Sequence, residues 1–167
     1  MKLTFRTVTV LAVVLATCVA PIALATDTKA VPGAICKPED PDANYSITGA
    51  RIYNDDVTYD EYFVCPLIDD VNRFGTSPVT DIEVTVLDQH YYDNVSCTFY
   101  SFQQNGTSGS FATDSSSGSS ASPVTLDSFY TASMYTYTKG VMLVRCSVPD
   151  IYSGNESGIH TIWYIEN

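Results

Sequence analysis

The chain has 167 residues, 16% of them charged, with 19 Asp and Glu against eight Lys and Arg, and a formal net charge of −11 at pH 7. So acidic a surface repels polyphosphate and anionic lipid and argues against nucleic-acid binding. Hydrophobic residues make up 45% and aromatics 12%, which is enough to bury the core of one domain of about 140 residues.

Residues 1–25 read as a secretory signal peptide. Lys2 and Arg6 precede an apolar run, Val8 to Val19, and Ala23-Leu24-Ala25 is a small-residue cleavage signature. The run is broken by Thr17 and Pro21 and falls short of the roughly 20 residues that a membrane span needs. An alternative is a lipoprotein anchored at Cys18, because Leu15-Ala16-Thr17-Cys18 resembles a lipobox. Against it, Thr17 stands where that motif carries Gly, Ala or Ser, and the residues that follow remain apolar. Removing residues 1–25 takes away two of the eight basic residues and none of the 19 acids, so the exported chain is more acidic still. The expected location is secreted, periplasmic or at the cell envelope, with no membrane span.

Four cysteines follow the signal: Cys36, Cys65, Cys97 and Cys146. An even count in an exported chain implies two disulfides, and four cysteines allow three connectivities. Cys36–Cys65 with Cys97–Cys146 is the favoured pairing. A metal site would need reduced thiols outside the cell and lacks any C-x-x-C spacing.

In chain order, residues 26–45 hold Pro32, Gly33, Pro38 and Pro41 and predict an extended arm stapled at Cys36 rather than regular structure. Residues 46–167 predict a single β-sandwich domain. Ser46–Asn54 and Tyr62–Ile68 are strand candidates around an acidic turn. "DIEVTVLD" alternates, placing Ile82, Val84 and Val86 on one face and Glu83 and Thr85 on the other. Val95–Phe102 follows, and near the end come "SMYTYT", "VMLVRCSV" and "GIHTIWYIE", with Gly140 expected to turn the first of these into the second. No window carries a helical period. Short strands with turn signals between them predict an antiparallel β-sandwich of jelly-roll or immunoglobulin-like kind.

The stretch "GTSGSFATDSSSGSSAS", Gly106 to Ser122, has the composition of a linker. Asn105-Gly106 before it is a hairpin signal of the two-residue type. Counting from that turn sets Tyr100 opposite Phe111 and Phe99 opposite Ala112, with the break falling at Ser115–Ser120. With Val95, Cys97 and Phe99 facing a core, Tyr100, Phe102 and Phe111 share the other face. Together with Gln103 and Gln104 they form the candidate ligand-binding residues, suited to stacking on a sugar or to contact with a protein.

Other chemistry is thinly represented. His90 and His160 are the two histidines and are expected to be solvent-facing on strands. Nucleophile elbows, zinc-protease and phosphate-loop motifs are absent from the sequence. Acid clusters at Glu39, Asp40 and Asp42, at Asp55 and Asp56, at Asp60 and Glu61, and at Asp69 and Asp70 raise the less favoured reading of a carboxylate-dependent hydrolase. "DPDAN" opens like a calcium loop, but Tyr45 and Arg51 stand where that loop needs Gly and an acid. The EF-hand reading fails, and calcium in some other turn stays open as the one cofactor considered. Asn44, Asn94, Asn105 and Asn155 head N-x-S/T sequons, which matter only where the source glycosylates.

"FVCPLIDD", "VLDQHYYDNVSCTFYSF", "RCSVPD" and "GIHTIWYIEN" together resemble short exported bacterial proteins of β-sandwich kind. The resemblance implies the fold and an exported location, and carries over no functional residue. The expected function is a non-catalytic exported β-sandwich that binds an extracellular carbohydrate or protein. The alternative is a structural or assembly component of the cell surface or matrix.

Overall fold

The computed structural model describes residues 27–68, 76–129, 135–137 and 140–166. The expected signal peptide, Cys18 of the alternative lipoprotein reading, and Asp69 and Asp70 lie outside the described residues. Among the described residues twelve strands form two sheets: β1 (Asp27–Pro32), β2 (Lys37–Pro38), β3 (Tyr45–Thr48), β4 (Arg51–Asn54), β5 (Glu61–Leu67), β6 (Thr76–Leu87), β7 (Ser96–Phe102), β8 (Ser108–Ser115), β9 (Val124–Leu126), β10 (Tyr135–Tyr137), β11 (Val141–Val148) and β12 (Gly158–Glu166). One sheet runs β10-β6-β12-β4-β3, with β1 also on β12 and β9 also on β6; the other runs β2-β5-β11-β7-β8. Every pairing is antiparallel.

Alternation decides which face each strand buries. Ile82, Val84 and Val86 of β6 with Ile159, Ile162 and Tyr164 of β12 form one wall of the core, and Phe63, Phe99, Met142, Val144 and Val148 form the other. Both predicted disulfides are present, Cys36–Cys65 and Cys97–Cys146. All four cysteines are fully buried. Cys97 and Cys146 are direct cross-strand partners on β7 and β11.

Several expectations need correction. The chain from Asp27 to Pro32 is not part of an irregular arm: β1 pairs along β12 from Asp27↔Glu166 to Pro32↔Thr161. A pairing partner at the far end of the chain outweighs local proline content. Between β1 and β2 a 3-10 turn, Gly33–Ile35, lies so close to β12 that a Cβ on Gly33 would come 2.1 Å from the Ile159 carbonyl oxygen. Ser46–Asn54 is two strands rather than one, folded back at Gly49, whose φ of 64° suits glycine. Gly140 does not close a hairpin, because β10 pairs with β6 while β11 pairs with β5 and β7 in the other sheet.

The β7–β8 hairpin has the register counted from the sequence, Tyr100↔Phe111 and Phe99↔Ala112, but reaches it by another route. The loop is three residues, with Gln103 N–H donating to Thr107 O at 2.9 Å and Gly106 N–H to Gln103 O at 2.9 Å. Of the loop residues only Gly106 has positive φ, 79°, so this is not the type I′ turn that Asn-Gly suggests. The extra loop residue is offset by a bulge at Gly109, where Ser101↔Ser110 gives way to Phe102↔Ser108.

Candidate functional site

The outer face of the five-stranded sheet presents side chains at fixed cross-strand positions. One row reads Phe111, Tyr100, Leu143 and Pro66 across β8, β7, β11 and β5; the next reads Thr113, Thr98, Arg145 and Val64. Phe102 lies opposite Val141. The first row spans four strands, roughly 15 Å at the usual strand spacing. Phe111 is 67% exposed and Val141 55%, while Tyr100, Phe102 and Leu143 are half-buried. Tyr100 stacks on Phe102 with centroids 5.7 Å apart and planes 21° apart, and meets Phe111 at 6.2 Å and 33°. Three rings in near-common orientation on a pleated sheet make a shallow aromatic platform.

Polar groups border this platform. Gln103 and Gln104 are exposed in the hairpin loop, and Thr98 and Thr113 hydroxyls hydrogen-bond each other at 2.8 Å. Asn105 stands at the hairpin tip, its Oδ1 accepting from Thr107 N–H at 2.9 Å. On the far side Arg145 lies 3.9 Å over the Tyr62 ring and donates through Nε and Nη2 to both Glu39 oxygens at 2.7 and 2.8 Å. That fork holds the Glu39 carboxyl below its ordinary pKa. The sequence candidates Tyr100, Phe102 and Phe111 are thus brought together on an open face, none of them buried. Tyr62 and Arg145 belong beside them and were missed, since their proximity depends on β5 and β11 being neighbours.

The loops at one end of the sandwich hold a second group that sequence reasoning left scattered. Residues 88–95, 149–157, 55–60 and 116–123 are tied together through polar side chains and a backbone hydrogen bond. Asp88 accepts from Ser116 Oγ and from His90 N–H; Gln89 N–H donates to Ser157 Oγ at 3.1 Å; Ile151 N–H donates to Asp56 O at 2.7 Å. His90 is buried rather than solvent-facing. Its Nδ1 accepts from Tyr92 N–H at 3.3 Å and Asp93 N–H at 2.8 Å, which leaves the ring proton on Nε2, 3.2 Å from Asp150 Oδ1. Around it gather Tyr91, Tyr92 and Tyr152, the last carried by a two-residue hairpin at Ser153-Gly154 with φ of 54° and 79°.

His160 is buried too, for a different reason. A bulge in β12 between Ile159 and Thr161 interrupts alternation and sets the ring against Tyr53, whose hydroxyl lies 3.3 Å from Nε2. Burial first, and then the Arg51 charge, push the imidazole below its ordinary pKa of 6.5. Below that pH the unfolded chain binds the proton that the folded chain resists, so this residue removes stability as pH falls. His160→Gln is expected to flatten the fall in urea midpoint between pH 7 and pH 5, and a profile parallel to that of the parent would contradict this account.

Glu39, Asp40, Asp60 and Glu61 line a shallow recess with Tyr59 and Tyr62, and burial raises the pKa of Asp60 and Glu61. Glu61 starts β5 with its side chain buried on the inner face, while the preceding Asp60 is exposed. Among the described residues no group of three or more His, Cys, Asp or Glu is placed to hold a metal ion. No helix among them is long and apolar enough to cross a membrane.

No protein-family model matches the chain, and no curated protein matches it. Solved structures with a similar fold include a family two carbohydrate esterase from Cellvibrio japonicus, at 6% identity and TM-score 0.49 over 86% of this chain, which spans only 35% of that one. A low-affinity xylan-binding module from Roseburia intestinalis shares 14% identity at TM-score 0.49, over 84% of this chain and 96% of the module. A carbohydrate-binding module in complex with calcium and xylotriose shares 11% identity at TM-score 0.44, over 82% and 98%.

Proposed function

We propose that the chain is an exported, non-catalytic binding protein whose ligand is an extracellular carbohydrate, held on the outer face of the five-stranded sheet. The observation that carries this reading is Phe111, two-thirds exposed beside the stacked Tyr100 and Phe102. A large exposed ring costs hydration free energy unless a ligand covers it. The C–H face of a pyranose does so, and the neighbouring Thr, Ser and Gln side chains supply hydrogen bonds to its hydroxyls. The core of the platform carries no charge, which suits a neutral polyol better than an ionic partner. Two disulfides fit an oxidising compartment. Recognition by stacking needs no reacting group.

Titration of the protein against a panel of neutral plant and microbial oligosaccharides tests the reading. Phe111→Ala is expected to weaken the best ligand by at least about 2 kcal/mol, roughly 30-fold in Kd, as for a central aromatic anchor. Concentration-dependent self-association of the parent, removed by the same substitution and indifferent to sugars, would instead favour the structural or assembly role.

A further inference from the structure

We propose that Tyr91, Tyr92 and Tyr152 form a second docking site, separate from the sheet platform, for an arginine-bearing segment of a basic protein. Tyr91 is 65% and Tyr92 71% exposed. Tyr91 lies nearly parallel to Tyr152, centroids 6.3 Å apart at 25°, and Tyr92 stands across both at 85° and 87°. The three rings are held from beneath: His90 contacts Tyr152 at 5.1 Å and accepts the backbone N–H of Tyr92, and Ile151, next to Tyr152, is bonded to Asp56. The cluster is therefore preorganised and its outer faces are open.

Charge selects the partner. Three acids lie in residues 39–44, three in 55–60, two in 88–95 and two in 149–157, and none of these loops contains Lys or Arg. These loops lie at the same end of the sandwich as the tyrosines, and their acids, apart from Glu39, which Arg145 pairs, and the buried Asp88, sum to a field that attracts cations over about a Debye length. Nearest the rings, Asp150 and Asp93 flank His90. The molecule also shows which cation such an arrangement takes. On the adjacent surface Arg145 stacks at 3.9 Å over Tyr62 while its guanidinium forks onto Glu39. The loop cluster offers the same tyrosine-and-carboxylate combination with no Arg in its own loops. Half of the 6.3 Å between Tyr91 and Tyr152 is less than that stacking distance, so a cation does not enter between the rings. A flat guanidinium on an outer ring face fits better than a compact ammonium in a cage.

Labelled hexa-arginine titrated into the whole exported chain at 0.15 M NaCl tests this. Binding is expected to weaken at least tenfold in Tyr91→Ala/Tyr92→Ala, to stay unchanged in Phe111→Ala, and to be at least fivefold tighter than for hexalysine. Both tyrosines are exposed, so the double variant should keep the parent's circular dichroism and melting temperature. The proposal is overturned by a double variant that binds as the parent does, which is diffuse attraction alone, by equal affinity for the two peptides, or by no binding of hexa-arginine to the parent. It is also overturned if neutral oligosaccharides bind at the tyrosines. Loss of sugar binding in Phe111→Ala bears only on the sheet platform.

Discussion

Replacing Cys97 and Cys146 together with alanine should lower the unfolding free energy by about 4 kcal/mol, the loop-closure value for a crosslink over a sequence separation of 49. The two residues are register partners in the β7–β11 pair, fully buried at the centre of the five-stranded sheet. The enclosed chain leaves this sheet after β8, supplies β9 and β10 to the other sheet, and returns as β11. The crosslink therefore restricts an unfolded segment that would otherwise separate both sheets. For a chain of this size the loss corresponds to roughly 10 °C or more in melting temperature. Urea unfolding of the double variant measures it directly, and a change below about 1 kcal/mol would show that the bridge only decorates an already closed core.

Asn54→Asp is expected to destabilise nearly as much as Asn54→Ala, by about 3 kcal/mol, although it preserves shape. Asn54 is fully buried at the end of β4. Its Nδ2 donates to the carbonyls of Tyr59, Val148 and Pro149 at 3.0, 3.0 and 3.1 Å, and its Oδ1 accepts from Asp56 N–H at 2.8 Å. This one amide joins an end of the seven-stranded sheet to the end of β11 in the other. A carboxylate turns the donor side into an oxygen facing three carbonyl oxygens, with a charge in a buried setting. Thermal melts of both variants test the point: an Asp variant within about 1 kcal/mol of the parent would mean that shape, not donation, holds the junction.

Much of the sandwich was legible because strand alternation is a local property. "DIEVTVLD" already separates Ile82, Val84 and Val86 from Glu83 and Thr85, and β11 and β12 fall where their apolar runs do. The shared face of Tyr100, Phe102 and Phe111 was legible too, whereas the disulfide pairing found was the favoured one of three that four cysteines allow. The hairpin register was counted correctly through two compensating departures, a longer loop and a bulge, neither of which Asn105-Gly106 announces. Illegible features depend on partners distant in sequence. β1 is a strand because β12 completes it, and β10 joins β6 rather than β11 for the same kind of reason. The burial of His160 follows from a β12 bulge that no composition signals. Tyr91-Tyr92 could be seen as a pair, but the third ring arrives on a hairpin, Ser153-Gly154, that strand-level reading passed over.

Carbohydrate stacking on the sheet face is tested by amide chemical-shift mapping on the labelled chain during titration with the best oligosaccharide. The perturbed amides are expected to cluster on β7, β8 and β11 around Tyr100, Phe111 and Leu143, and the shifts to vanish in Phe111→Ala. Perturbations confined to residues 88–95 and 149–157, unchanged by that substitution, would contradict it.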